Sequence, residues 1–293
     1  MLLPKFELLQ PRSLEEATTM LAESNGETRV IAGGTDILVQ MKWRKLRPSR
    51  LVDIKALEEL RGLRWGQDHL RIGALITHRE IETNQRIWDR FSALAEACRL
   101  VGSFQIRSMG TIGGNLCNAA PSAESAPPLL VFDAQAVIVT ADGKISLPLE
   151  DFFVGPGKTL LQPRQLLQGI TLPYPPARTG SAYLRHSPRN AMDIATVGVA
   201  ARVTLDEGGA TCRDVRIALG AVAPTPKVAR SAEEALRGKP LQQEFIRAAA
   251  RLAAQEAEPI TDIRASAGYR REIVEILTER ALILAGQRAD IAP

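Results

Sequence analysis

Cysteine is scarce in this 293-residue chain: Cys98, Cys117 and Cys212 stand alone and far apart. That spacing supports neither a disulfide framework nor a CxxC metal site, so the thiols read as reduced and packed. Histidine is as sparse, and His69, His78 and His186 form neither HExxH nor another ligand spacing, which removes the footing of a zinc-enzyme reading. No GxSxG elbow is present, so the matching hydrolase class goes too. Gly155-Pro156-Gly157-Lys158-Thr159 comes near a P-loop, but Phe152 stands where that pattern needs its first glycine. It reads as a loop between strands.

Long apolar runs are also missing. No stretch approaches the ~18 uninterrupted apolar residues of a membrane span. Met1 to Glu7 lacks the charged region and apolar run of a secretion signal, so a cytoplasmic location without a membrane span is expected. Charge excess is small, 37 Lys and Arg against 33 Asp and Glu, and a nucleic-acid partner is not expected. Even the most basic run, Met41 to Arg50 with Trp43 inside it, reads as a solvated or partner-facing surface. What remains, 45% hydrophobic and 24% charged residues, is the mixture of a globular protein, and the length points to about two domains.

Ser13-Leu14-Glu15-Glu16 is a capping box, and Leu14, Ala17 and Leu21 recur at helical spacing. A helix over 13–24 follows, stopped by Asn25-Gly26. Strands are expected at 29–31, 51–54 and 70–73, then a capping box at Thr77 and Glu80 and an amphipathic helix over 91–101. The glycine-rich segment 105–121 interrupts any regular pattern. Strands resume at 136–140 and 166–172, and Pro173 to Gly180 reads as a linker. Beyond it, a strand at 194–205, a turn at 206–209 and a strand at 215–222 precede helices within 233–236, 241–254 and 267–285.

Two loops have the make-up of ligand cradles. Ala32-Gly33-Gly34-Thr35-Asp36 follows the strand ending at Ile31, and Thr111-Ile112-Gly113-Gly114-Asn115 adds a hydroxyl and an amide. Paired glycines let a backbone approach a ligand closely, so that successive N–H groups can converge on a phosphate without lysine. A ligand with two phosphates would use both loops.

These loops, with Gln105-Ile106-Arg107 before the second and Leu116-Cys117-Asn118-Ala119-Ala120-Pro121 after it, resemble the FAD-binding signatures of the flavoprotein subunits of molybdenum hydroxylases. The resemblance extends to Glu150-Asp151-Phe152-Phe153, to Leu172-Pro173 and to Ile217 through Pro226. It implies an α+β fold: a vanillyl-alcohol-oxidase-type (PCMH-like) FAD-binding domain over 1–176, with subdomains of about 1–55 and 56–176. A C-terminal α+β domain over 177–293, a small antiparallel sheet with helices, completes it. Carried over residue by residue, Ile31 to Asp36 and Thr111 to Asn115 would wrap the FAD pyrophosphate. Glu124 stands where the family usually has Asp on the ribitol or ribose side. Leu167 would pack near the adenine, Arg185 replaces a basic residue close to the cofactor, and Ile194 falls beside the flavin ring.

The same resemblance implies a division of labour. A large subunit would hold the molybdenum cofactor and a small subunit two 2Fe-2S clusters. FAD here would collect electrons for NAD+ or another acceptor, and the assembly would be a dimer of heterotrimers. Three scattered cysteines cannot ligate a four-cysteine cluster, so the iron-sulfur carriers belong on another chain. A stand-alone FAD oxidoreductase of this fold and a flavin-free scaffold subunit stay open as alternatives.

Overall fold

A computed structural model describes residues 3–23, 27–140, 143–189 and 191–291. After strand Glu7–Leu9 comes the capped helix Leu14–Ala22, in which Ser13 Oγ accepts from the Glu16 N–H and Ala17 is buried. The Asn25-Gly26 stop lies outside the described residues. Strand Arg50–Asp53 runs between Glu7–Leu9 and Thr28–Ile31 and pairs with both in parallel, with Ile31 opposite Asp53. The apolar stretch after the first glycine loop turns into the short helix Ile37–Lys42.

The second sheet is antiparallel, in the order Leu63–Trp65, His69–Gly73, Leu166–Pro173, Gln135–Thr140, Gly143–Pro148. Alternation places Leu70, Ile72, Ala136, Ile138, Ile170 and Leu172 on one face, where they join residues of helices Ser92–Leu100 and Ala126–Val131 in the largest apolar cluster. The glycine-rich segment is not irregular. It folds into helices Phe104–Arg107 and Ile112–Asn118, because Ser103 Oγ caps the Ile106 N–H and Thr111 Oγ1 caps the Gly114 N–H. Ala119 ends the second helix in a left-handed conformation, φ 46°.

The third sheet, Thr179–His186, Val197–Leu205, Cys212–Gly220 and Lys227–Val228, is antiparallel throughout. Its opening strand begins inside the segment read as a linker, since Thr179 to His186 pair residue for residue with Val197 to Thr204. The central strand starts at Val197 and not at Ile194. Helices Gln243–Glu256 and Ala267–Ile291 cover one face and close a second apolar core with Val199, Ile217, Leu219 and Leu282. Ion pairs tie this part to the first: Asp133 meets Arg202 at 3.0 Å and Arg216 at 2.8 Å, and Glu96 meets Arg288 at 2.6 Å. Among the described residues, no helix is long and apolar enough to cross a membrane.

Candidate functional site

Ala32 to Asp36 leave the carboxyl end of the parallel strand Thr28–Ile31, a place where open α/β sheets bind ligands. The loop lies against the second glycine loop. A Cβ on Gly33 would stand 1.9 Å from the Met109 carbonyl oxygen, so the two backbones meet at a distance that excludes every side chain there. Gly34 supplies the positive φ, 76°, that turns the chain into helix Ile37–Lys42. The N–H groups of Gly33, Gly34, Thr35 and Asp36 donate to no protein acceptor among the described residues. Four consecutive unpaired donors form a concave, positively polarised backbone.

The second loop is built differently. Its Ile112 N–H donates to Ile76 O, Gly113 N–H to Ala74 O and Gly114 N–H to Thr111 Oγ1. A Cβ on Gly113 would stand 2.6 Å from Ala74 Cβ and 2.7 Å from Ala74 O, so this glycine docks the loop onto the turn after strand His69–Gly73. The loop contributes side chains instead. Asn115 Oδ1 accepts from Ser125 Oγ at 2.6 Å, which leaves the amide N–H groups to donate elsewhere.

Between the loops opens a cleft of about 740 Å³, within the range of roughly 300 to 1,000 Å³ common for ligand sites. Its walls include Ala32 to Asp36, Thr111, Gly113, Gly114, Asn115, Glu124 and Leu167, with Leu46, Leu161 and Leu166 adding apolar surface. Ile31 and Ile112 lie in the apolar clusters behind the loops. Arg185 and Ile194 are not part of the wall: Arg185 is buried behind it and Ile194 is exposed. Arg185 donates to Glu124 Oε1 at 2.8 Å, to Leu100 O at 3.0 Å and to Asp193 O at 3.4 Å. Burial pushes the Glu124 carboxyl above the usual range while Arg185 pulls it down. Burial also raises the Asp36 carboxyl, and it pushes the Cys117 thiol in the cleft wall up to about 12.

Sequence reasoning does not single out several cleft residues, His78 and Cys117 among them. Cys117 sits within the quoted signature, but its facing follows from a helix the glycines conceal. His78 precedes the second loop by more than thirty residues and carries no motif. The capping box of Thr77 and Glu80 places it at a helix start, and the bridge between Thr77 and Thr111, with its own N–H donating to Gly110 O, brings it to the loops.

A mixed α/β protein with a glycine-lined cleft between two subdomains, and a further sheet-and-helix domain behind, is a class built to hold an extended phosphate-bearing ligand. The chain belongs to the FAD-binding medium-subunit family of molybdopterin dehydrogenases: residues 4–175 match the FAD binding domain in molybdopterin dehydrogenase, and residues 182–285 the CO dehydrogenase flavoprotein C-terminal domain. It is 35% identical over 92% of its length to 92% of the xanthine dehydrogenase FAD-binding subunit of Escherichia coli O157:H7. It is 33% identical to the carbon monoxide dehydrogenase medium chain of Hydrogenophaga pseudoflava, covering 98% of this chain and 99% of that one. Among solved structures, that organism's carbon monoxide dehydrogenase superposes with a TM-score of 0.94 at 34% identity, over 98% of this chain and 99% of that one. Quinoline 2-oxidoreductase from Pseudomonas putida 86 superposes with a TM-score of 0.92 at 30% identity, over 99% of each chain. The protein is thus an oxidoreductase subunit of the medium-chain type.

Proposed function

We propose that the cleft holds FAD and that the chain passes electrons from the iron-sulfur clusters of a partner subunit to NAD+ or another acceptor. The observation that carries this reading is the row of unpaired N–H groups from Gly33 to Asp36 on the wall of a cleft large enough for a dinucleotide. Those donors and the Thr35 hydroxyl fit a diphosphate, and the Asn115 amide supports it from the facing loop. Asp36 and Glu124, as acceptors, suit hydroxyl groups of the ribose or ribitol and not the phosphates. Leu161, Leu166 and Leu167 offer apolar surface to the adenine. Bound flavin supplies the one- and two-electron redox chemistry, and this chain supplies position and electrostatics.

The relatives frame the partners. The superposed carbon monoxide dehydrogenase is a form that lacks the Mo-pyranopterin moiety of the molybdenum cofactor, and the related Hydrogenophaga pseudoflava chain is a medium chain. We read this chain accordingly as one component of a heterotrimer with a large molybdenum subunit and a small iron-sulfur subunit, paired into a dimer of heterotrimers. The division into 1–176 and 177–293 belongs to the same reading. Three cysteines on three separate elements leave any four-cysteine cluster to another chain. The test is a visible spectrum of the purified protein with a denaturing gel of what copurifies. Flavin bands with one larger and one smaller chain support the assignment. A yellow lone chain points to a stand-alone oxidoreductase, and a chain that cannot be loaded with FAD to a scaffold.

A further inference from the structure

His78 lies outside both glycine loops in sequence yet sits at their junction. It opens helix His78–Glu82, and its backbone N–H donates to Gly110 O at 3.0 Å. A Cβ built on Gly110 would lie 3.5 Å from His78 Cδ2 and 3.6 Å from Thr35 Oγ1, so the imidazole and both loops meet at one point. The residue is 2% exposed, and it lines the cleft. Its Nδ1 faces Cys98 Sγ at 3.5 Å, and Nε2 on the opposite edge has no protein partner among the described residues. Nε2 is also not among the fully enclosed unpartnered atoms, so it keeps some accessible surface on a residue that lines the cleft. A buried side chain with an unpaired nitrogen at a cleft wall calls for a ligand.

The surroundings fix the proton. Burial, with Glu82 and Glu124 adding to it, holds the Cys98 thiol well above its ordinary range, so the sulfur keeps its hydrogen. With the thiol as the donor to Nδ1, the imidazole proton sits on Nε2. Burial and then the Arg107 guanidinium push His78 down to about 4, against a smaller pull from Glu82. Glu82 itself is engaged by Arg79 at 2.8 Å and Arg107 at 3.0 Å. The other titratable groups of the cleft wall are Asp36, across Thr35, with Glu124, Cys117 and Arg29.

We propose that His78 is a cofactor-binding residue, a neutral Nε2–H donor to the diphosphate of the dinucleotide where the loop Gly33 to Asp36 meets Gly110 and Thr111. This rests on the FAD reading above and deepens it. A neutral donor adds a hydrogen bond to the anion without burying a further cation beside Arg107.

The test is FAD titration of the full chain, followed by quenching of flavin fluorescence, for the unsubstituted protein, H78Q, H78N and H78F. A glutamine amide reaches the Nε2 position, whereas an asparagine amide stops near Nδ1. H78N and H78F are expected to raise the FAD dissociation constant about ten- to a hundredfold, the scale of one hydrogen bond to a charged group. H78Q should recover most of that loss. Affinity of the unsubstituted chain should stay level between about pH 5.5 and 8.5, because no imidazolium is involved. FAD affinity in H78N and H78F as tight as in the unsubstituted chain, or an equal loss in H78Q and H78N, would overturn the contact. Binding that tightens on acidification in the unsubstituted chain but not in H78Q would overturn the neutral donor. An unsubstituted chain that takes up no FAD removes the proposed function first; one that does, beside an equally tight H78F, removes His78 alone.

Discussion

Gly33-Gly34 and Gly113-Gly114 stand beside the same cleft, each next to a threonine, but their backbone N–H groups go to different places. The first loop leaves the donors of Gly33 through Asp36 without protein acceptors. In the second, Ile112, Gly113 and Gly114 donate to Ile76 O, Ala74 O and Thr111 Oγ1. One loop is an open donor array; the other is a strut that docks a helix start onto a strand end. Paired glycines therefore mean close backbone approach, and only an account of each N–H shows whether the approach is to a ligand or to the protein itself.

The largest effects should come from filling the glycines. In G33V the new Cβ meets the Met109 carbonyl, and in G113V it meets Ala74, so both variants force packed backbone apart. Each should destabilise the chain by about 3 kcal/mol, the upper end for overpacking. G33V should also lose FAD, read as the flavin-to-protein ratio after gel filtration together with a thermal melt. A G33V protein that melts normally and stays yellow would mean the two loops do not touch in solution.

How far the sequence reveals this can be followed along the chain. The Ser13 cap and the 3.6 period made the helix Leu14–Ala22 legible, and alternation made Leu70 and Ile72 legible as strand. Helix Ile112–Asn118 was hidden because two glycines and asparagines have poor helix propensity. Tertiary bonds to Ile76 and Ala74 decide its conformation instead. Strand Thr179–His186 was masked by the prolines before it, although its pairing with Val197–Leu205 is uninterrupted. Within the site, the glycine loops carried a recognisable signature and Leu167 and Glu124 followed from it, whereas His78 depends on a bridge between distant segments that no local pattern encodes.

A pH experiment probes the seam between the loops. An unfolded histidine titrates near 6.5, whereas folded His78 titrates at about 4. The folded chain therefore excludes a proton that the unfolded chain accepts. The stabilisation is complete above pH 6.5 and is lost as pH falls toward 4, by up to about 3 kcal/mol. Urea unfolding midpoints of the unsubstituted protein and H78Q should diverge across that window, with H78Q losing less on acidification. Parallel curves would place His78 in contact with water.

Thr111 and Thr35 offer a finer comparison of the loops. Thr111 Oγ1 caps the Gly114 N–H at 3.1 Å, so T111V should lower stability by about 1 kcal/mol in urea unfolding, with T111S restoring it.

The Thr35 hydroxyl has no protein partner among the described residues, and it faces the cleft beside the unpaired N–H groups. T35V keeps the shape of the side chain and removes no internal hydrogen bond, so its effect on stability should stay within about 0.5 kcal/mol. Its effect on the ligand should be larger, about a tenfold rise in the FAD dissociation constant for one lost bond to a charged group. Fluorescence titration and urea unfolding of T35V and T111V, run side by side, then sort binding from scaffolding. Unchanged FAD affinity in T35V would leave the first loop acting through its backbone alone. A stability loss in T35V as large as that in T111V would erase the contrast, because both hydroxyls would then be serving the fold.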